Sequence, residues 1–545
     1  MANIFNSVKV RAPKFNVFNL SHSRKFSCNF SKLLPILCQE VYPGETWSVS
    51  TQGFLRFLPL VTPMMHHVDV KFWYFFVPHR LVWDKWRDFI TYGVNGPDAT
   101  LAPKFAKPYC DFTKVTVTSE SDWHNWCDDG TLMDFLGFPT RPVDDYKKAS
   151  DTTWGFKHVD LMPFMAYHLI YNEYFINRNV QSNLDANVDW MRTYVGKQMP
   201  SQVSWLFYLH DVNWNLDYFT SCLPFVQRGT PAPIPFDATA ENVITYKDQS
   251  QVVSGIRGEM WNADGNLEVV QKSETGNIEA SDKASIENID SIKTHFTGIT
   301  ATINDLRWAQ RLQSWMEKSA RVGSRYIEQI KAHFGVTSSD ARLQRPELLG
   351  AGQFPVVISD VEQMSSSDQE SPQGNLAGKG TGFGITKGWK KNFEEHGFLF
   401  GLMVISPRAS YKNIWPRQYL RFNPMDYYFP EFQYLGEQAV TKREVSPDMV
   451  DETYNKSLFG YQQRYAEMRY IPSTIHGGFK NGQDLSKWVM VRQLGKVALN
   501  NDFVKQSVDY NNFADVTANS DHCLVELWHD IKASRPLDVY AIPTL

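Results

Sequence analysis

Alternating apolar and polar residues predict strands at widely separated places along this chain of 545 residues. In the stretch 45–53, Trp47, Val49 and Thr51 alternate with polar neighbours, while 68–78 begins with alternation and becomes apolar on both faces. The same patterns recur at 398–406, 487–494 and 521–533. Strands this far apart, joined by long connections rich in proline and aromatic residues, indicate a β-sandwich or jelly roll whose loops carry much of the mass.

One long helical pattern interrupts the strands at about 304–334, where apolar residues recur three or four positions apart. Thr302 followed by Asp305 is typical of a capping box, and Gly335 suits the position just beyond the last turn. Gly323 lies inside the pattern and is expected to split the helix in two.

The charge distribution is more informative than the formal net charge of −4. Residues 1–39 contain no acid but several lysines and arginines, so this segment is predicted to be a basic N-terminal arm that contacts phosphates. The alternative is a segment that is merely solvated or that packs on an acidic neighbour. The high aromatic share of 14% has two interpretations, a large core or extensive interfaces.

Residues 237–300 differ from the rest of the chain because they contain no proline and no cysteine, and carry eleven acids against five bases. Short β-like pieces flank "NADGN" (262–266), whose Asp-Gly pair is a hairpin signal. This stretch is predicted to be an acidic surface insertion. An acidic subdomain without a special role is the alternative.

Motifs of catalysis and metal binding are largely missing from the sequence. "GKGTGFG" (378–384) lacks the Ser or Thr that follows the lysine in a Walker motif, so a flexible loop is expected there. His66 and His67 are adjacent and on a strand would point to opposite faces, which disfavours a shared metal. We therefore expect no catalytic residue, no metal and no cofactor. A carbohydrate-active β-sandwich, either enzyme or lectin-like, is the alternative, because tryptophans and acids are abundant.

Cysteine spacing and hydropathy predict the cellular compartment in which the protein is made. The six cysteines form no C-x-x-C pair, which favours free thiols in a reducing compartment. The longest apolar run, 397–405, is too short to span a bilayer. The sequence therefore predicts a protein made in a cytoplasm without membrane insertion.

Several long blocks carry a family resemblance in a fixed order. They include "IYNEYFINRN" (170–179), "LDYFTSCLPFVQRG" (216–229), "RVGSRYIEQIKAHFGVTSSDARLQRPELLG" (321–350), "EEHGFLFGLM" (394–403) and "FGYQQRYAEMRYIPS" (459–473). Together they resemble the major capsid protein of gokushovirus-type Microviridae, the small single-stranded DNA phages. Further matching blocks extend from the first strand region to the C-terminus.

The resemblance implies a mainly β fold, an eight-stranded antiparallel viral jelly roll with long loop insertions and a few helices. It implies self-assembly into a T=1 icosahedral shell around a circular single-stranded DNA genome, in virions assembled in the cytoplasm of a host bacterium. The core would comprise 40–236 and 301–545, and 237–300 would build protrusions at the threefold axes. Implied partners are other copies of the chain, the packaged DNA, scaffolding, minor or pilot and small DNA-binding phage proteins, and a bacterial surface receptor.

Three groups of site residues follow from these expectations. Basic residues of the arm are predicted to contact DNA phosphates: Lys9, Arg11, Lys14, Arg24 and Lys25. The loop around Pro346 is predicted to dock on a neighbouring subunit through Asp340, Arg342, Arg345 and Glu347. The insertion is predicted to attach to the host through Trp261 and Asp264.

Two of these assignments have explicit alternatives. The arginines of the loop would instead pair within one subunit if the loop is internal. The insertion would instead only stabilise the threefold contact.

Overall fold

The computed structural model describes two groups of segments: six short strands between 239 and 297, and the longer stretches 14–92, 106–111, 126, 128–140, 158–198, 203–232, 303–364, 374–480, 485–517 and 520–540. Its strands are β1 Asn16–Asn19, β2 His22–Cys28, β3 Leu34–Val41, β4 Thr46–Phe57, β5 Val68–Pro78, β6 Tyr109–Cys110, β7 Val159–Asp160, β8 Lys197–Gln198, β9 Thr239–Glu241, β10 Tyr246–Lys247, β11 Val252–Val253, β12 Glu259–Trp261, β13 Leu267–Val269, β14 His295–Thr297, β15 Glu347–Glu362, β16 Leu376–Ile385, β17 Trp389–Asn392, β18 Gly397–Pro407, β19 Glu437–Thr441, β20 Leu458–Gln463 and β21 Cys523–Arg535. The α-helices are His79–Val82, Trp86–Thr91, Leu132–Leu136, Met162–Tyr174, Asp185–Arg192, Ile303–Val322, Tyr326–Phe334, Lys442–Val445, Glu452–Lys456 and Asn501–Val504.

One large antiparallel sheet dominates the fold. Its strands run in the order β1-β21-β4-β16-β15-β5-β18-β3, with β2 also pairing with β21 and β17 with β4. The fold is therefore mainly β and of the jelly-roll type, as predicted. The strands expected at 45–53, 68–78, 398–406 and 521–533 are confirmed as β4, β5, β18 and β21.

The strand β18, which lies between β5 and the edge strand β3, separates two hydrophobic cores. All its residues are buried, which matches its run of apolar side chains. Phe400 and Leu402 face a core that includes the helix Met162–Tyr174, whereas Leu399 and Met403 face the core formed with β4 and β21. A strand covered on both faces explains why this stretch does not alternate in polarity.

Two sequence-based predictions about strands and loops are wrong. Residues 487–494 form a 3₁₀ turn at Ser486–Trp488 and then a buried extended segment, whose Arg492 N–H donates to the Ser410 carbonyl at 3.2 Å. Its apolar alternation reflects burial and not strand pairing. "GKGTGFG" is no loop but the middle of β16, where a Cβ on Gly380 would lie 2.2 Å from Phe57 Cδ2. Its glycines make room for aromatic rings.

The predicted basic arm does not extend over residues 16–39. These residues contain β1, β2 and most of β3, and both β1 and β2 pair with the C-terminal strand β21. Their basic composition arises because alternate residues of β2, such as Lys25, lie on the exposed face of the sheet.

The long helical pattern forms two helices, Ile303–Val322 and Tyr326–Phe334, as predicted. Gly323 has φ 115° between them, and Gly335 has φ 70° beyond the second. Both glycines adopt left-handed backbone that other residues rarely take. The expected capping residue Thr302 lies outside the described residues.

The chain divides into two compact units, one of which is Gln227–Ser319, while the other consists of Met1–Val226 and Ala320–Leu545. Within the first unit three strand pairs form, β9 with β14, β10 with β11, and β12 with β13. Trp261 pairs with Leu267, which confirms the hairpin predicted around 262–266. Among the helices in the described part of the chain, none is long and apolar enough to cross a membrane.

Candidate assembly surface

The loop predicted to dock on a neighbour is anchored to its own subunit. Arg345 Nε lies 3.3 Å from Asp340 Oδ1, and the guanidinium lies 4.1 Å from the centroid of the Tyr174 ring. The Tyr174 hydroxyl donates to the carbonyl of Pro346 at 2.5 Å. Burial raises the pKa of Tyr174, so this hydroxyl keeps the proton that it donates.

The four residues of the loop are not equivalent. Glu347 forms an ion pair with Lys391 at 2.6 Å, and Asp340 also accepts a hydrogen bond from the Leu348 N–H at 3.3 Å. The arrangement of Asp340, Arg345 and Glu347 is therefore the internal pairing named as the alternative. Arg342 is exposed. The inter-subunit role stays a prediction, and Arg342 is the residue best placed to make it.

Replacing Arg345 and Arg342 one at a time separates the two roles. Arg345→Ala is expected to lower the free energy of unfolding by about 2 kcal/mol, because it removes a partly buried ion pair and a cation–π contact. Arg342→Ala is expected to change stability by less than about 0.5 kcal/mol, as at other exposed sites. Urea unfolding of the two variants measures the difference. Equal losses of stability would contradict the internal role of Arg345.

The basic residues predicted to contact DNA have different environments. Lys9 and Arg11 lie outside the described residues, and Lys14 is exposed. Arg24 donates to the carbonyl of Phe135 at 2.5 Å, and burial lowers the pKa of its guanidinium. Lys25 is exposed and lies 3.5 Å from Glu526. Arg24 therefore serves the packing of its own subunit, while Lys14 and Lys25 are accessible.

Of the two residues predicted for host attachment, the backbone of Trp261 ends β12. Asp264 lies outside the described residues.

A surface that the sequence analysis did not single out lies between β18 and β19. Residues 415–435, here called the aromatic segment, read "WPRQYLRFNPMDYYFPEFQYL". Phe422 and Tyr434 are 76% and 86% exposed. Seven other large apolar side chains of the segment are also exposed: Trp415, Tyr419, Met425, Tyr427, Tyr428, Phe429 and Leu435.

Prolines set the backbone of the aromatic segment. Three 3₁₀ turns follow one another at Arg417–Tyr419, Pro424–Asp426 and Pro430–Phe432. Two of them begin with proline, whose fixed φ suits the first position of a helical turn. The Asp426 carboxylate accepts the Asn423 N–H at 3.0 Å. The fixed backbone lowers the entropic cost of presenting these side chains.

The two arginines of the aromatic segment point back into the subunit, whereas its two acids are exposed. Arg417 lies 3.2 Å from Glu444, and Arg421 lies 3.0 Å from Glu467. Burial raises the pKa of Glu444, an effect that the Arg417 charge opposes. The arginines thus hold the segment to the subunit, and most of its exposed side chains are aromatic or apolar.

Such a surface is costly in water unless another molecule covers it. Its enrichment in Tyr and Phe is typical of the core of a protein–protein interface. A jelly-roll protein with such a surface belongs to the class of proteins that function within assemblies.

Comparison with known proteins identifies the family to which the chain belongs. A family model described as capsid protein (F protein) matches residues 7–545, and the chain belongs to this family. It is 31% identical to the capsid protein VP1 of Chlamydia phage 1, over 100% of this chain and 98% of that protein. It is 30% identical to capsid protein VP1 of Bdellovibrio phage phiMH2K, over 96% and 94% of the two chains. Capsid protein VP1 of Spiroplasma virus 4 is 27% identical, over 97% and 94%.

The resemblance to the gokushovirus-type capsid protein is therefore confirmed, and the function of the chain is that of a capsid protein. A capsid protein acts by assembling with copies of itself into a shell, and its place is the virion.

Proposed function

We propose that this chain is the major capsid protein of a small single-stranded DNA phage, and that its copies form a closed T=1 icosahedral shell around the genome. The aromatic segment carries the proposal, because a surface with Phe422 and Tyr434 so exposed needs a partner, and in a shell the most abundant partner is another copy. The role is structural and involves no catalysis. Assembly takes place in the host cytoplasm with the help of scaffolding, minor or pilot and small DNA-binding proteins.

The insertion 237–300 serves as the outer protrusion of this shell at the threefold axes. Its excess of acids and its position within a compact unit, Gln227–Ser319, support this role. Loops on a rigid scaffold commonly carry recognition, so the hairpin that contains Trp261 is the proposed contact with a bacterial surface receptor. Inside the shell, Lys9, Arg11, Lys14 and Lys25 contact DNA phosphates, whereas the packing of Arg24 argues against its participation.

Expression of the chain together with its neighbouring phage genes tests the proposal. Gradient sedimentation and electron microscopy are expected to show uniform closed shells with knobs at the threefold axes. In the same background, Trp261→Ala combined with Asp264→Ala is expected to leave the shells intact and lower their adsorption to host cells at least about tenfold, as for loss of a central contact residue.

Two other results would support the alternative functions of the chain and of its insertion. A monomer or dimer that binds or hydrolyses glycans would support the carbohydrate-active alternative. Normal adsorption by intact variant shells would leave the insertion with threefold stabilisation as its role.

A further inference from the structure

One face of the main sheet is exposed to solvent over β2, β21, β4, β17, β16 and β15. On β4 and β21 buried and exposed residues alternate along nearly the whole strand. The buried set, which includes Trp47, Leu55 and Leu527, lies in the hydrophobic core. The exposed residues on the opposite face of all these strands are together called here the open sheet face.

Strand register places aromatic residues side by side on the open sheet face. Phe383 on β16 is opposite Phe54 on β4, and Trp528 on β21 is opposite Gln52, the residue two positions from Phe54 on the same face. The side chains of Phe383, Phe54 and Trp528 are 64%, 37% and 45% exposed. Because neighbouring strands are about 4.8 Å apart, these rings form one patch on three adjacent strands.

The open sheet face is also basic, although the whole chain is acidic. Exposed residues of this face include the cations Lys25, Arg56, Lys379, Lys390 and Lys532, against the acids Glu526 and Asp530. Both acids have partners, since Lys25 lies 3.5 Å from Glu526 and the Ser21 hydroxyl donates to Asp530 at 3.1 Å. Five cations against two acids leave a net positive charge of three on this face.

This combination distinguishes the open sheet face from the aromatic segment. Lysine is depleted in the cores of protein–protein interfaces, whereas exposed aromatic rings among lysines and arginines are typical of surfaces that bind single-stranded nucleic acid. The Arg56 guanidinium lies 5.7 Å from the centroid of the Phe54 ring, so a cation stands beside a stacking platform.

We propose that the open sheet face binds single-stranded nucleic acid, with unpaired bases stacked on Phe54, Phe383 and Trp528 and phosphates held by the surrounding cations. In the virion the ligand is the packaged DNA strand, so the assignment rests on the proposed function. It makes the sheet itself a surface for the genome and reduces the role of the N-terminal segment to an auxiliary one. Because stacking uses any base, binding shows little sequence preference.

Binding of labelled oligonucleotides to the unassembled full-length chain tests the proposal. Phe54→Ser combined with Phe383→Ser is expected to weaken binding of an oligo-dT strand at least about tenfold, because two stacking platforms are lost. Arg56→Gln combined with Lys379→Gln is expected to reduce the slope of log K against log salt by about 1.4, at about 0.7 for each phosphate contact in a single strand. The control is Tyr92→Ser combined with Lys456→Gln, two exposed residues outside the sheet.

Further measurements decide which nucleic acid is the ligand and whether the open sheet face binds it or contacts another subunit. The wild-type chain is expected to bind oligo-dT more tightly than a duplex of equal length, and oligo-rU binding shows whether RNA is an equal ligand. Shells of the aromatic variant are expected to assemble with less DNA in each particle. Unchanged oligo-dT affinity in both face variants would overturn the proposal, as would equal affinity for duplex. Loss of shells with wild-type oligo-dT affinity would overturn it too, because the face would then be a subunit contact.

The test also separates this proposal from the proposed function. A wild-type chain that forms no shells but binds oligo-dT through Phe54 and Phe383 would refute the proposed closed shell and retain the binding face.

Discussion

Gly384→Ala is expected to lower the free energy of unfolding by about 3 kcal/mol, the upper end of the usual cost of overpacking and a large part of the roughly 5–15 kcal/mol that stabilises a typical domain. A Cβ on Gly384 would lie 2.3 Å from Phe354 Cδ1 and 2.6 Å from Phe354 Cβ. Because the clash involves Phe354 Cβ as well as its ring, a rotation of the side chain cannot relieve it. Phe354 is only 7% exposed, so its neighbours also restrict its movement. Yield of soluble protein and the urea midpoint measure the effect.

Gly388→Ala is the matched control for this prediction. It follows closely in the sequence, and its added Cβ would lie 3.5 Å from Ser50 Cβ, an ordinary contact. Combining Gly384→Ala with Phe354→Leu is expected to restore part of the lost stability, because the smaller side chain vacates the ring position. If the double variant is no more stable than Gly384→Ala alone, the ring contact is not the cause.

Phe422→Ser combined with Tyr434→Ser is expected to abolish shell formation while leaving a folded chain. Both side chains are largely exposed, so their loss removes little of the subunit's own core. In an assembly the same rings would be buried, and each is expected to contribute about 1.5–3 kcal/mol to every subunit contact. Shell assembly repeats this contact many times, so a loss of this size shifts the product from closed shells to free subunits. Sedimentation and electron microscopy measure the yield of shells.

Tyr92→Ser combined with Phe334→Ser is the control for aromatic content, because these residues are 62% and 78% exposed but lie outside the aromatic segment. The control pair is expected to assemble normally. Normal shells from the Phe422 and Tyr434 variant would show that another surface holds the subunits together.

The fold was predictable where burial and strand pairing coincide. Alternation in β4 and β21 and the apolar run of β18 identified strands, and Gly323 identified the break between two helices. The prediction failed where a local pattern depends on a distant partner. Glycines at 378–384 are typical of a loop, but Phe57 on β4 and Phe354 on β15 fill the space beside them.

The candidate surfaces were less predictable than the fold. The pairing of Arg345 with Asp340 and Tyr174 depends on a helix about 170 residues earlier in the chain, and no spacing rule reveals it. The aromatic segment was visible in sequence as a cluster of aromatic residues. Aromatic residues favour both cores and interfaces, so only the exposure of Phe422 and Tyr434 in the structure decided between them.

The position of the last strand has a consequence for synthesis. β21 lies between β4 and the N-terminal strands β1 and β2, and Cys523 is opposite Phe57. At roughly 5–20 residues per second, a ribosome needs roughly 20 to 90 s between these two positions, and β4 has an unpaired edge for all of that time. A chain that is terminated before β21 cannot complete the sheet. Closure of the sheet therefore follows translation of β21, so the N-terminal strands wait for a segment made hundreds of residues later.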